Sequence, residues 1–281
     1  MNKLSFKNRL LNELKTFDAV VGFYLSDEHG NVYSHHGDEP FETASTIKSF
    51  ILLAAFEKGG DLHEELQVKD DHYADGSGVL KAMSKNVSMK INDLLTLMII
   101  VSDNTATNTM IEYLGMDYIN EVIKKYGFLN TSLNRPINFD KYSELGTTTP
   151  KDYGHFFEKL NRGELVSKEA SEAMIEIFKK QHYQSLLTGK YNSYTRSEAE
   201  EMTEEETITV ASKSGSMRNV RCDGGIVMTS LGHFVIAIFA KDFFRPFYYD
   251  DVDAFKYGGN LSRVALDQFL ALGGRFELEK E

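Results

Sequence analysis

Strand-forming patterns gather near the two ends of this chain, and the stretch between them reads as helix almost throughout. Ala19 to Ser26 is apolar and β-prone, Asp27 to Asn31 (DEHGN) is turn-like, and Val32-Tyr33-Ser34 resumes the extended pattern. Near the other end, Thr207 to Ser212, Gly225 to Ser230 and His233 to Lys241 read as three further strands. In between, apolar residues recur at helical spacing, which predicts helices around Ile91 to Ile100, Thr105 to Tyr113, Met116 to Tyr126, Pro150 to Leu160 and Ser167 to Lys180. Met1 to Leu14 and Asn260 to Leu272 are amphipathic helices at the margins. Strands so far apart in sequence can share a sheet only if the chain returns to where it began. The expected class is therefore α/β, an antiparallel sheet flanked by helices and built from both chain termini, with an all-helical subdomain inserted. Residues 1–60 and 190–281 would carry the sheet and 61–189 the helices, with a cleft between the two.

A chain of 281 residues can bury a sizeable core. Its net charge of −11, with basic residues scattered, lacks the basic stripe that a phosphate backbone demands, so nucleic acid is not an expected partner. Cys222 is the only cysteine, which excludes an internal disulfide and a cysteine-held metal. No H-E-x-x-H or H-x-H-x-D pattern marks a zinc site, and His35-His36 reads as a surface turn. Charged and polar residues interrupt MNKLSFKNRLLNEL every two or three positions, so it is neither a signal h-region nor a membrane span. A cytoplasmic location is the expectation, or export if the reading frame was trimmed, with no cofactor and no membrane partner. The acidic run SEAEEMTEEE at Ser197 to Glu206 reads as a solvated loop.

Three short motifs carry chemistry. Ser45-Thr46-Ile47-Lys48 is an S-x-x-K at the start of the apolar helix KSFILLAAFEK, which Gly59-Gly60 closes. Residues three apart share a helix face, so the hydroxyl of Ser45 and the amine of Lys48 can meet. A serine hydroxyl needs a neighbouring base before it attacks, and a lysine kept uncharged by burial and nearby cations can serve. Ser102-Asp103-Asn104 follows the apolar run LLTLMIIV; it can cap the next helix or turn polar groups into a site. Lys213-Ser214-Gly215 follows the strand TITVAS, where small residues allow a ligand to approach the strand edge and the lysine can meet a carboxylate.

In this order the three motifs resemble the signature set of class A β-lactamases and penicillin-binding proteins. GSGVL at Gly76 to Leu80, DLLTLMIIVSDNTATN at Asp93 to Asn108, TTTP at Thr147 to Pro150 and KSGSM at Lys213 to Met217 extend the likeness over most of the chain. The resemblance implies a β-lactamase/DD-peptidase-like fold and a serine hydrolase that forms an acyl-enzyme with β-lactams or related amides. Ser45 would be acylated, Lys48 would be general base or proton relay, and Ser102 would pass a proton to the leaving nitrogen. Asn104 would hold the substrate amide and Lys48, and Lys213 and Ser214 would engage the substrate carboxylate. The backbone N–H groups of Ser45 and Ser216 would form the oxyanion hole.

The resemblance also implies, on the loop before T-T-T-P, an arginine with a glutamate two residues later that activates the deacylating water. Here Arg135-Pro136-Ile137 puts isoleucine at that position, the loop is several residues short, and Gly146 replaces the usual aspartate. Asp140 and Glu144 are the loop's carboxylates, and Glu144 can instead pair with Arg135. Slow deacylation follows if neither substitutes. Arg218 and Arg221 are both candidate carboxylate binders. A peptidase or esterase with the same acyl-enzyme, and a non-catalytic binding protein, are the competing readings; the small-molecule partner would be a β-lactam or a peptide-like amide or ester.

Overall fold

The computed structural model describes residues 5–141, 144–183, 186–191, 208–243 and 253–278. The acidic run at 197–206 and residues 244–249 (FRPFYY) lie outside them. In chain order, the elements are α1 (Phe6–Leu14), β1 (Val20–Asp27), β2 (Val32–His35), β3 (Phe41–Glu42), α2 (Ile47–Lys58), β4 (Glu65–Gln67), β5 (Ser88–Lys90), α3 (Ile91–Ile100), α4 (Asn104–Leu114) and α5 (Met116–Lys125). Then follow β6 (Ser132–Leu133), β7 (Gly146–Thr148), α6 (Pro150–Asn161), α7 (Lys168–Phe178), β8 (Ile208–Met217), β9 (Val220–Thr229), β10 (Gly232–Lys241) and α8 (Asp253–Ala271).

The sheet has the order β2-β1-β10-β9-β8, so strands from the two ends of the chain meet at β1 and β10. Their antiparallel register runs from Val20 opposite Lys241 to Asp27 opposite Phe234. Alternation sorts the side chains into two cores. Val21, Phe23 and Leu25 join Phe234, Ile236 and Ile238 on the face that α1 and α8 cover. Tyr24, Val235, Ala237 and Phe239 face the helical body with α2, α3 and α6. Because both faces are buried, β10 reads as a nearly unbroken apolar run. Among the described residues, no helix is long and apolar enough to cross a membrane.

Caps set several helix starts. Asp103 accepts from Ala106 N at the head of α4, Thr149 accepts from Asp152 N ahead of Pro150 in α6, and Ser167 accepts from Ala170 N at α7.

Three elements are longer than their local sequence suggests. The strand expected to end at Ser212 continues to Met217, so the K-S-G-S residues lie on β8 and not after it. β9 begins at Val220 rather than Gly225, since pairing with strands on both sides outweighs the poor strand propensity of Asp223-Gly224-Gly225. A Cβ at Gly224 would stand 2.5 Å from the Tyr153 ring, so glycine lets the helix approach the sheet. α8 starts at Asp253, seven residues before the expected Asn260, because Gly258-Gly259 obscures the pattern where Leu186 and Lys190 press on the helix. His35 and His36 are less turn-like than expected: His35 ends β2, and the two rings stack at 4.0 Å.

Candidate active site

The S-x-x-K begins in a 3₁₀ turn, Ala44–Thr46, and passes into the first turn of α2. Ala44 has a φ of 42°, a left-handed conformation that turns the chain sharply from β3 into the helix. Ser45 is partly exposed, while Lys48 is buried completely, as expected for a side chain on so apolar a helix. Lys48 Nζ lies 2.7 Å from Ser102 O, 3.0 Å from Ser102 Oγ and 2.8 Å from Asn104 Oδ1. Burial, and after it the charge of Lys213, push its pKa well below the ordinary lysine value, against a smaller pull from Asp103.

Ser102 is held at φ 53°, a strained backbone for a serine, of the order of 1 to 3 kcal/mol. That twist turns both its carbonyl and its hydroxyl to Lys48. Asp103 fixes the neighbourhood: Oδ1 caps α4, and Oδ2 accepts from Val79 N at 2.7 Å and Leu80 N at 2.9 Å. The GSGVL loop is thus tied to the SDN turn, and Asn104 Nδ2 adds a bond to Asp75 O at 2.7 Å.

On β8, Lys213 is also fully buried; burial, the largest influence, lowers its pKa to about 8, against opposing pulls from Asp223 and Cys222. Its Nζ donates to Ser214 O at 2.6 Å. Tyr153 in α6 donates to Lys213 O at 2.8 Å and lies 3.0 Å from Ser49 Oγ, the residue after Lys48, so one buried tyrosine gauges the spacing between the two lysines. The next residues of β8 graze the Ser45 turn. A Cβ at Gly215 would lie 2.8 Å from Ser45 N, 2.8 Å from Cys222 Sγ and 3.0 Å from Thr43 O. Ser45, Lys48, Ser102, Asn104, Lys213, Ser214 and Ser216 therefore come from three segments to one end of the edge strand β8.

The sequence profile of the β-lactamase enzyme family matches residues 5–269. The chain belongs to the β-lactamase enzyme family. β-Lactamase BRO-1 of Moraxella catarrhalis is 29% identical over 185 residues, which cover 60% of this chain and 59% of BRO-1. The match thus spans about three-fifths of that relative's length. Among solved structures, a β-lactamase from Sphaerobacter thermophilus superposes with a TM-score of 0.81 at 27% identity, covering 94% of this chain and 97% of its own. PBP-A superposes with a TM-score of 0.82, also at 27% identity, covering 95% and 96%. A mutant of PBP-A solved as an acyl-enzyme complex with penicillin G matches at 0.81 and 27%, covering 95% and 97%.

Within this β-lactamase-family chain, Ile137 is buried and its side chain joins the apolar core. Its backbone is held on both sides by Asn108, which accepts from Ile137 N at 2.9 Å and donates to Ile137 O at 2.9 Å. Asp140 and Glu144 are exposed. Glu144 acts on Glu42, the β3 residue three before Ser45. Burial first, and Glu144 second, push the Glu42 carboxyl up to about 7. Arg221, one of the two arginine candidates, is fully buried. It donates to Met217 O and, at 2.8 Å, to Val220 O, with its guanidinium 5.5 Å from the Phe243 ring and 5.6 Å from that of Phe255. Arg221 is therefore engaged in packing, whereas Arg218 stands exposed at the β8–β9 turn.

One grouping could in principle take a metal. Asp71, His72 and Glu112 bring ligand atoms within 4.8 Å of one another. Yet His72 Nδ1 accepts from Lys69 N at 3.1 Å, which leaves the ring proton on Nε2, 2.7 Å from Glu112 Oε2, and Lys69 takes the other Glu112 oxygen. The cluster is closed by its own hydrogen bonds and does not touch the lysine pair.

Asn108, Tyr153 and Glu42 were not singled out by motif. Asn108 lies one helical turn after Asn104, an i, i+4 spacing that could have flagged it. Tyr153 and Glu42 have no such local signal.

Proposed function

We propose that this chain is a serine hydrolase that forms an acyl-enzyme with β-lactams and releases it slowly. The observation that carries the reading is the environment of Lys48. Two of its three neighbours are carbonyl oxygens, of Ser102 and of the Asn104 amide, and the third is a hydroxyl. An uncharged amine satisfies the two carbonyls with its two N–H groups and keeps a lone pair to take a proton from a hydroxyl. Burial favours that uncharged form.

In the step proposed, Ser45 Oγ forms a bond to the lactam carbonyl carbon as its proton passes to Lys48, directly or through a relay. The negative oxygen of the tetrahedral intermediate is met by the N–H groups of Ser45 and Ser216. The C–N bond then breaks, and Ser102 hands the nitrogen a proton that is replaced from Lys48. Lys213, with Ser214, holds the substrate carboxylate. Ile137 has no group that could activate water, so hydrolysis of the ester is the slow step. A missing general base typically costs about 10² to 10⁴ in rate.

The buried isoleucine also favours a second reading, a penicillin-binding-type peptidase or an esterase whose natural acyl group is not a β-lactam. Intact mass spectrometry after mixing with benzylpenicillin, followed for hours, separates no reaction, a stable adduct and turnover. A persistent adduct of one penicillin mass that Ser45→Ala abolishes is expected. An adduct surviving in that variant overturns the assignment of Ser45, and rapid turnover overturns slow deacylation.

A further inference from the structure

The segment after α7 crosses from the helical body to the edge strand at Gln181. This residue appears in none of the motifs. With its Nε2 turned to the carbonyls, the Gln181 amide donates to Ile100 O at 3.1 Å and Ile99 O at 3.2 Å, while Oε1 accepts from Ser214 N at 3.0 Å. The reverse orientation would set its oxygen against acceptors alone, whereas this one satisfies both ends of the amide. Neighbouring residues repeat the tie: His182 N donates to Ile100 O at 3.0 Å and Tyr183 Oη to Val101 O at 3.3 Å. The carbonyls so gripped are those of the last turn of α3 and its cap, immediately before the strained Ser102.

The other end of the tie acts on the open edge of the sheet. Ser214 faces Asp223 in the β8–β9 ladder, but its N–H goes to Gln181, so this pair does not exchange backbone bonds. Hydrogen-bonded and non-bonded pairs alternate along antiparallel strands, so Ser216, two residues on, turns its N–H to the same open edge. Ser214 O on that edge is taken by Lys213 Nζ. Both edge groups of Ser214 are thus satisfied within the protein, and the next outward N–H is the one assigned to the oxyanion.

We propose that Gln181 is a positioning residue for acylation, one that sets the distance between the Ser102 turn and the Lys213–Ser216 strand. It touches neither the nucleophile nor the lysines. Its amide couples the proton-relay side of the cleft to the oxyanion side, opposite the Tyr153 brace. This inference rests on the acyl-enzyme reading above. Misplacing reacting groups by about 1 Å can cost about 10²-fold in rate.

The test is the acylation of Gln181→Met and Gln181→Glu by a chromogenic cephalosporin, resolved into non-covalent affinity and acylation rate, alongside amide hydrogen exchange at Ser214. Gln181→Met should lower the acylation rate about 10- to 100-fold, with affinity changed less than about threefold, and should speed exchange at Ser214. Gln181→Glu keeps the acceptor for Ser214 N but, when ionised, sets a carboxylate against two carbonyls. Its rate relative to wild type should therefore recover as pH falls and the carboxyl regains a proton to donate. Wild-type acylation rates in Gln181→Met, or a deficit in Gln181→Glu that does not vary with pH, would overturn the proposal. If wild type forms no adduct, the acyl-enzyme reading has failed, and unchanged exchange at Ser214 in Gln181→Met then refutes the tie itself.

Discussion

Adding a single methyl group at Gly215 tests whether the edge strand is held against the nucleophile as tightly as the structure describes. The new Cβ would meet Ser45 N at 2.8 Å, Cys222 Sγ at 2.8 Å and Thr43 O at 3.0 Å, and two of these atoms are backbone. Ordinary contacts lie near 3.5 Å, so the strand and the Ser45 turn must separate by about 0.7 Å. Neither side yields readily. Cys222 is buried beneath with its thiol on Thr43 O at 3.2 Å, and Thr43 N is paired to Gly146 O at 2.9 Å. Overpacking of this kind typically costs about 1 to 3 kcal/mol, or about 2 to 4 °C in Tm for each kcal/mol. The larger effect should fall on chemistry. Losing one oxyanion donor costs about 2.7 to 4 kcal/mol, and a partial displacement should slow acylation by about 10- to 100-fold. Stopped-flow acylation of Gly215→Ala, normalised to folded protein, gives the rate. Gly225→Ala is the control: its Cβ would press on Ala211 O at 2.5 Å in the same hairpin, so it should lower Tm while leaving acylation per folded molecule near wild type. Equal acylation losses in both variants, or none in Gly215→Ala, would refute the contact argument.

Acylation by a β-lactam carboxylate should rise with pH as Lys48 loses its proton and fall again near pH 8 as Lys213 loses its own; a neutral activated ester should lack the alkaline limb, and a limb persisting there would detach Lys213 from carboxylate binding. Lys48→Arg should form no adduct with either, because a guanidinium stays charged. For Glu42 the folded pKa, about 7, lies above the unfolded one, so the native state holds the extra proton between about pH 4.5 and 7 and loses that stability as pH rises through the window. Glu42→Gln should then raise stability at pH 8 by about 1 kcal/mol, discounted for a half-exposed group, with no gain at pH 4.5; a gain equal at both pH values would exclude titration as its cause. Ile137→Glu should lower Tm, since it sets a carboxylate at a buried apolar position, and in the protein that stays folded should speed hydrolysis of the penicillin adduct by at least about tenfold, because Asn108 already anchors the backbone there. An unchanged lifetime in the folded variant would mean that position 137 faces away from the ester.

The parts of the site legible in the sequence are those whose function needs particular atoms at a fixed local spacing. Ser45 and Lys48 are one helical turn apart, Ser102 and Asn104 share one turn, and Lys213 to Ser216 occupy one strand, so each group is readable within four residues. The strand pattern likewise anticipated a sheet drawn from both ends of the chain, because β1 and β10 are buried on both faces and their composition says so. The extension of β8 and β9 was not legible: Asp223-Gly224-Gly225 is extended only because neighbours pair with it on two sides. Arg221 looked as eligible as Arg218 until Phe243 and Phe255 were found against it.

The residues that set distances between motifs left little local trace beyond the i, i+4 spacing of Asn108 from Asn104, and the reason is physical. Tyr153, Asn108 and Gln181 act through backbone carbonyls and amides of partners 60, 29 and 33 positions away. A tyrosine in an apolar helix, an asparagine one turn into a helix and a glutamine after a helix are each ordinary where they stand. What makes them specific is that each binds a backbone group of a distant segment, and that meeting exists only once the segments have come together. The isoleucine at 137 shows the converse. A missing glutamate was visible in the sequence, but the anchor that still holds its backbone position was not. On the reading proposed above, forming the ester uses groups on α2, α4 and β8, whereas position 137 of the loop that would serve its breakdown contributes packing alone.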